Sequence, residues 1–125
     1  MSRIRNRDTK PELIVRSLLH RLGLRFRLQG ATLPGRPDVV LARHRTVVVV
    51  HGCFWHRHGG CRFAYTPKSN VPFWLGKFAG NIARDKRANK ALRALGWRVL
   101  TVWECETATP EKLARRLAAA FGLSP

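Results

Sequence analysis

The feature that most constrains this chain is a run of four valines, residues 47–50, that leads into histidines, cysteines and aromatic residues ending at Cys61. Four consecutive β-branched residues predict a strand that is buried on both faces. A buried strand holds the side chains that follow it in fixed positions at one end of a sheet. Such placement suits a metal site or a catalytic site, because misplacing a reacting group by about 1 Å can cost roughly a hundredfold in rate.

The composition favours one domain with a polyanionic partner. The chain has 125 residues, is 45% hydrophobic, and carries 24 Lys and Arg against 7 Asp and Glu, a formal charge of +17. We expect a single domain over residues 1–125, with a basic arm at residues 1–8 and a C-terminal helix at residues 106–125. The charge favours nucleic acid over an anionic membrane as the partner. With no apolar run of about 18 residues and no secretory signal, we expect a soluble, cytoplasmic protein, and a monomer.

Hydrophobic periodicity predicts the element order α-β-β-β-α-β-α, an α/β fold in which helices cover both faces of a mixed sheet. Thr9 and Glu12 predict a capping box for the first helix, which Gly23 ends. Ser69 and Asn70 are expected to cap the next helix. That helix should run over residues 72–95 with a break or kink near Gly80, since glycine weakens a helix interior.

Two of the predicted strands form a hairpin that organises the site. Antiparallel neighbours pair the start of one strand with the finish of the next, so Asp38 and His51 should meet at one open end of the sheet. The predicted strands cover residues 25–28, 38–42, 46–50 and 97–103.

The cysteines are arranged as in a zinc site. Cys53, His58 and Cys61 lie within one loop, and Cys105 follows the last strand, a layout typical of a closed tetrahedral site that fastens a loop to a distant element. The alternative is three free thiols, some of them buried as small hydrophobic side chains. The glycines at positions 59–60 favour the zinc site, because a chelating loop needs tight turns.

The remaining histidines and Asp38 suit metal-assisted phosphodiester hydrolysis. Asp38 would hold Mg²⁺, while His51 and His56 would position the phosphate or water and transfer the proton. Taken alone, Asp38 is better explained as a turn cap, and each histidine as a hydrogen-bonded structural residue. Their convergence in a strongly basic chain favours catalysis. Glu12 is a candidate for a water-mediated metal contact, with helix capping as the equal alternative.

Phe54 and Trp55 lie between Cys53, a candidate zinc ligand, and His56, a candidate catalytic histidine. Neighbouring residues on an extended chain point to opposite faces, so both cannot easily enter one core. A metal-held loop that presents two aromatic rings beside a basic surface suggests a wedge between base pairs, at a cost of about a few kcal/mol per step. The alternative is that one ring packs the loop against the sheet.

Several motifs resemble those of the very-short-patch repair endonucleases, and the similarity extends from Asp8 to Cys105. The matching segments are residues 34–38 (PGRPD), 51–56 (HGCFWH), 73–74 (FW), 96–100 (GWRVL) and 102–105 (VWEC). The resemblance implies a restriction-endonuclease-like αβββαβ core with a structural zinc. It also implies Mg²⁺-dependent nicking of double-stranded DNA on the 5′ side of the thymine in a T·G mismatch. Such mismatches arise by deamination of 5-methylcytosine.

The resemblance also implies roles for individual residues. Asp38 corresponds to the metal-binding aspartate, His56 to the general base or acid, and His51 to the second active-site histidine. Glu12 falls where the family has a glutamate in the metal's water shell. The zinc ligands implied are Cys53, His58, Cys61 and Cys105. The DNA-binding residues implied are Phe54, Trp55 and Met1 as wedges. The positive charge of the basic arm adds Arg3 and Arg5 as candidate DNA contacts.

Three departures from the family pattern affect these expectations. Val50 replaces a threonine found before the first histidine, which is harmless if only the backbone carbonyl of Val50 reaches the Mg²⁺. The glycines at 59–60 change the zinc loop. The chain begins at Met1 without the basic segment of longer members, so we expect a weaker grip of the arm on DNA.

Two other functions remain open from the sequence alone. One is a restriction-type or less selective DNA nuclease on the same fold. The other is a zinc-stabilised DNA-binding module without catalysis, in which Asp38 only caps a turn. Mismatch-repair or polymerase factors are further candidate partners.

Overall fold

The computed structural model of the chain describes residues 9–28, 32–53, 61 and 67–123. None of the helices in this part of the chain is long and apolar enough to span a bilayer. The helices are α1 (Lys10–Arg21), α2 (Val71–Ala94) and α3 (Pro110–Ala120), and short 3-10 turns occupy Ala42–His44 and Glu104–Ala108. The strands are β1 (Arg27–Leu28), β2 (Val39–Leu41), β3 (Thr46–His51) and β4 (Arg98–Trp103).

The four strands form one mixed sheet in the order β1-β2-β3-β4. The first three are antiparallel neighbours, and β4 lies parallel to β3. Val39 pairs with Val48 in the hairpin, and His51 pairs with Trp103 across the parallel pair. The predicted element order, hairpin and mixed sheet are therefore confirmed.

Helices cover both faces of the sheet, as predicted. Val48 and Val102 belong to a core that includes buried residues of α1 and α3. On the other face, Val47 packs with Leu92 of α2 and with Val99. The alternation of side chains along β3 and β4 thus divides the core into two layers.

The start of α1 matches the capping box. The Thr9 hydroxyl accepts a hydrogen bond of 3.5 Å from the Glu12 amide, and the Glu12 carboxylate accepts one of 3.3 Å from the Thr9 amide. Gly23 follows the helix with a φ of +79°, a conformation that glycine adopts without steric cost. Both predicted ends of α1 are confirmed.

Two details of α2 differ from the prediction. The helix continues through Gly80 without a break. A helical glycine costs about 1 kcal/mol but removes no hydrogen bond, and the buried Phe78 and Leu92 anchor the helix on either side. Asn70 does precede the helix, but its backbone is left-handed and its side chain makes no capping hydrogen bond.

The edges of two other elements also differ from the prediction. The first strand contains only Arg27–Leu28 instead of residues 25–28, and Phe26 packs against the core. The C-terminal segment begins with a 3-10 turn, and the α-helix starts at Pro110.

Candidate active site and metal centre

Asp38 lies immediately before β2 and faces the end of β3. Its Oδ2 accepts a hydrogen bond of 2.6 Å from the backbone N–H of Val50, the residue before His51. The hairpin register produces this contact, because the pairing of Val39 with Val48 brings the start of β2 to the finish of β3. The predicted meeting of Asp38 and His51 at one end of the sheet is therefore present.

Glu12 joins Asp38 from the first turn of α1. It is only 5% exposed, and the Nη2 of Arg16, one helical turn away, lies 3.5 Å from its Oε2. The pKa of Asp38 is raised to about 7, chiefly by burial; the charge and hydrogen bond of Glu12 add to the rise, and the Val50 amide and Arg16 oppose it. Glu12 thus caps α1 and also lies beside Asp38.

This pair of carboxylates fits a hard divalent cation. Mg²⁺ prefers oxygen ligands and is commonly held by one or two carboxylates together with water and substrate phosphate. Two acidic groups buried side by side disfavour each other's charge, and a cation between them relieves that repulsion. Asp38 and Glu12 are therefore a suitable donor set. Val50, the proposed carbonyl ligand, is half-buried next to them.

His51 ends β3 on the face that α2 covers. It is 9% exposed, and its Nε2 lies 3.9 Å from Oδ1 of Asp85 on α2. The ring also meets Trp103 edge to face, with 5.3 Å between the centroids. The imidazole is thus fixed between a carboxylate and an indole at the finish of the buried strand.

Neither Asp85 nor the contact of His51 with Trp103 was identified from the sequence. A usable signal existed for Asp85, which is the one acidic residue in a helix with six Lys and Arg. It also lies seven residues from both buried anchors, Phe78 and Leu92, which places it on the sheet-facing side of α2. A lone acid on the inner face of a basic helix indicates a specific partner.

The three cysteines converge at the same end of the sheet. The Sγ atoms of Cys53, Cys61 and Cys105 all lie within 4.8 Å of one another. Cys53 is fully buried, and its sulfur accepts a hydrogen bond of 3.4 Å from the Cys105 amide. The parallel pairing of β3 with β4 explains the convergence, since both strands finish at this edge.

The donor chemistry of this cluster fits zinc. A tetrahedral site with Zn–S bonds of about 2.3 Å places its sulfurs about 3.8 Å apart, within the spacing seen here. Burial raises the pKa of Cys53 to about 12, and burial also raises the pKa of Cys105. Thiols in such surroundings stay protonated unless a metal ion displaces the proton.

Several predicted site residues lie outside the described residues: His56, His58, Phe54, Trp55, Met1, Arg3 and Arg5. The second catalytic histidine, the fourth zinc ligand and the DNA wedge thus stay predictions. Within the described part of the chain, the site contains Asp38, Glu12, His51 and the three cysteines.

The chain is similar in sequence to DNA mismatch endonucleases and to nicking enzymes. A family model described as DNA mismatch endonuclease Vsr matches residues 1–62. The chain is 50% identical over 117 residues to the type II nicking enzyme V.XorIIP of Xanthomonas oryzae pv. oryzae, covering 94% of this chain and 85% of that protein. It is 48% identical over 122 residues to DNA mismatch endonuclease Vsr of Escherichia coli K12, covering 94% and 78%. It is 43% identical over 106 residues to the nicking enzyme V.NmeAIP of Neisseria meningitidis, covering 85% and 75%.

Proposed function

The chain belongs to the Vsr family of DNA mismatch endonucleases, and on that premise we propose that it nicks double-stranded DNA at T·G mismatches. The nick would fall on the 5′ side of the mismatched thymine, and the reaction would depend on Mg²⁺. The T·G pairs concerned are those produced by deamination of 5-methylcytosine. The observation that carries the proposal is the contact of Asp38 with the end of β3, beside Glu12 and His51, in a chain of charge +17.

Asp38 and Glu12 would hold the Mg²⁺, together with the backbone carbonyl of Val50. When bound, Mg²⁺ polarises a phosphoryl oxygen and lowers the pKa of a coordinated water. The Val50 N–H keeps one Asp38 oxygen in a fixed position, which leaves the other for the cation. Arg16 sets one oxygen of Glu12 through the 3.5 Å ion pair.

His51 and His56 would share the positioning and proton-transfer steps, with His56 as the general base or acid. The part of His51 is better defined by its surroundings. Because Asp85 and Trp103 restrict the ring, His51 suits a positioning role towards the phosphate or the attacking water. Asp85 acts through His51 and is therefore a positioning residue.

The cysteine cluster would hold a structural zinc, with His58 as the fourth ligand. Bound zinc would fasten the loop after β3 to the end of β4, since Cys53 and Cys105 come from these two strand ends. That loop carries Phe54 and Trp55, which we propose as wedges inserted at the mismatch. Met1, Arg3 and Arg5 would contact the same DNA from the N-terminal arm. We also propose that the sheet and its helices form a core of the restriction-endonuclease type.

A less selective nicking enzyme is the second candidate. It is favoured by the relatives named as type II nicking enzymes, whose names mention no mismatch. Under this alternative the same carboxylates and histidines would act on fully paired DNA.

The test is a strand-resolved nicking assay with Mg²⁺ on two end-labelled duplexes that differ only in one T·G or T·A pair. The proposal predicts a single cut 5′ of the thymine in the T·G duplex and none in the paired duplex. Equal cutting of both would favour the less selective enzyme. Absence of cutting by protein with full zinc content would contradict nuclease activity.

A further inference from the structure

A groove separates the middle of α2 from the sheet. Towards its C-terminal end the helix packs closely on the sheet, where Leu92 meets Val40 and Val47. Further along, a cavity of about 580 Å³ opens between α2 and β3, and one of its residues is the active-site residue His51. Its apolar lining includes Val49, Ala88 and Leu92. The groove is therefore continuous with the candidate active site.

The lining of this groove is polar on one side, where two arginines outnumber one carboxylate, Asp85. Arg84 and Arg87 line it from α2, and both side chains are exposed. The Nη2 of Arg84 donates a hydrogen bond of 2.8 Å to Oδ1 of Asn81, which also lines the groove. A guanidinium presents several donors in a planar fork that matches the oxygens of a phosphate.

We propose that this groove binds the DNA strand next to the scissile phosphate, with Arg84 and Arg87 on its backbone phosphates. The inference rests on the proposed function, because it takes His51 to mark the reacting phosphate. An apolar floor suits a deoxyribose or base, and a cationic rim suits the phosphates on either side. The cavity volume also falls in the usual range of ligand sites, about 300–1,000 Å³.

The other flank of α2 fits this role less well. The cavity there measures about 310 Å³ and is lined by Lys86, Thr101 and Trp103 together with His51. It has one cationic residue, Lys86, where the larger groove has two. A lysine ammonium is also a point charge without the bidentate geometry of arginine. The charge and the space both favour the flank of Arg84 and Arg87.

Such contacts would position the duplex without reading its sequence. Phosphate contacts fix the register of a protein on DNA, whereas sequence is read by contacts to the base edges. Loss of Arg84 or Arg87 should therefore weaken binding to T·G and fully paired duplexes by the same factor.

The test compares two neighbouring residues that point to opposite flanks of one helix. Arg87→Gln and Lys86→Gln each remove one positive charge from an exposed position of α2. DNA affinity is measured by fluorescence anisotropy over a series of salt concentrations, without Mg²⁺ so that the duplex stays intact. Each neutralised phosphate contributes about −0.9 to the slope of log K against log salt. We expect Arg87→Gln to flatten the slope by about 0.9 and Lys86→Gln to leave it unchanged.

A second measurement locates the contact. A duplex with one neutral methylphosphonate next to the scissile position should bind wild type more weakly, and Arg87→Gln should show no further loss on that duplex. Such non-additivity identifies a direct partner. The double variant Lys112→Gln, Arg115→Gln on the exposed side of α3 controls for net charge.

Equal slopes for Arg87→Gln and Lys86→Gln, or a larger change for Lys86→Gln, would overturn the assignment of the strand to this groove. The salt-slope measurement does not depend on catalysis, because it is made without Mg²⁺. A protein that shows the predicted slopes but does not nick the T·G duplex would contradict the proposed function and leave the groove assignment standing. A protein that nicks the T·G duplex but shows equal salt slopes for Arg87→Gln and Lys86→Gln would contradict the groove assignment and leave the proposed function standing.

Discussion

The carboxylate pair, Asp38 and Glu12, and the cluster of three cysteines lie at the same end of the sheet but differ in the neighbours that can stabilise their charged forms. Asp38 and Glu12 have cationic and hydrogen-bonding neighbours already in place, in Arg16 and the Val50 amide. Cys53 is fully buried, and burial raises its pKa to about 12. The carboxylates would thus suit a hard cation that exchanges, whereas the thiols would need a tightly held metal to lose their protons.

The two groups also differ in what they connect. Asp38 accepts its hydrogen bond within a hairpin that the backbone hydrogen bonds between β2 and β3 already stabilise. Cys53 and Cys105 come from strands separated by the whole of α2. Closing such a long loop costs conformational entropy, and metal binding at its ends contributes directly to folding. Loss of the first site should therefore impair chemistry, and loss of the second should impair the fold.

Asp38→Asn should produce the largest effect, a fall in nicking rate of about a thousandfold or more. Metal-based charge stabilisation contributes several kcal/mol, and each 1.36 kcal/mol corresponds to about a factor of ten. The melting temperature should stay the same or rise, since a buried carboxylate is removed. Single-turnover kinetics and thermal melting give the two readouts. A variant that nicks within tenfold of wild type would remove Asp38 from the mechanism.

Cys105→Ser should show the opposite pattern, with loss of bound zinc and of stability. A structural zinc that contributes at least about 3 kcal/mol corresponds to a melting temperature lower by roughly 10 °C in a chain of this size. Elemental analysis and calorimetry measure the two quantities, with Asp38→Asn as the matched control that should retain zinc. Unchanged melting in the serine variant would mean that the cluster does not support the fold.

Asp85→Asn should reduce nicking by about ten- to a hundredfold, the usual cost of losing a carboxylate that orients a reactive histidine. Zinc content and melting should not change, because Asp85 is partly exposed and outside the two cores. The exposed Glu111→Gln on α3 is the matched control. An Asp85 variant that nicks like this control would show that His51 is positioned by other contacts.

The pKa of Asp38 predicts an unusual pH dependence of stability. Its folded-state pKa of about 7 lies above the ordinary value of 3.8, so between these values the folded protein binds more protons than the unfolded chain. The contribution of Asp38 to the free energy of unfolding should therefore fall as pH rises from about 4 to 7. In Mg²⁺-free buffer, the difference in melting temperature between Asp38→Asn and wild type should grow from pH 5 to pH 8. A constant difference would contradict the raised pKa.

The smallest effects concern the loop that leads to Asp38. Gly35 has a φ of +72°, and an added Cβ would lie 2.6 Å from the Cβ of Ala88 on α2. Gly35→Ala should therefore cost about 1–3 kcal/mol through overpacking and strain. Gly80→Ala, where nothing lies within 4 Å, should instead stabilise α2 by up to about 1 kcal/mol. Equal melting temperatures for the two variants would show that the loop moves away from α2 at no cost.

The positions of Asp38 and His51 could be predicted because two adjacent strands joined by a short turn pair antiparallel, which places the start of one beside the finish of the other. The cysteine convergence was predictable for a related reason, since Cys53 and Cys105 each follow the end of a strand, and these two strands are parallel neighbours. Asp85 was harder to find, because its contact with His51 depends on how α2 crosses the sheet. Local propensity also misjudged Gly80 and Asn70, where packing at Phe78 and Leu92 determines the helix more than its weak residues do.

We propose that one end of the sheet carries two cation sites with separate tasks. The most direct test is a calorimetric titration of Mg²⁺ into zinc-replete wild type and zinc-replete Asp38→Asn. We predict that wild type binds Mg²⁺, that the variant does not, and that both retain equal zinc. Equal Mg²⁺ binding by the two proteins would contradict the claim.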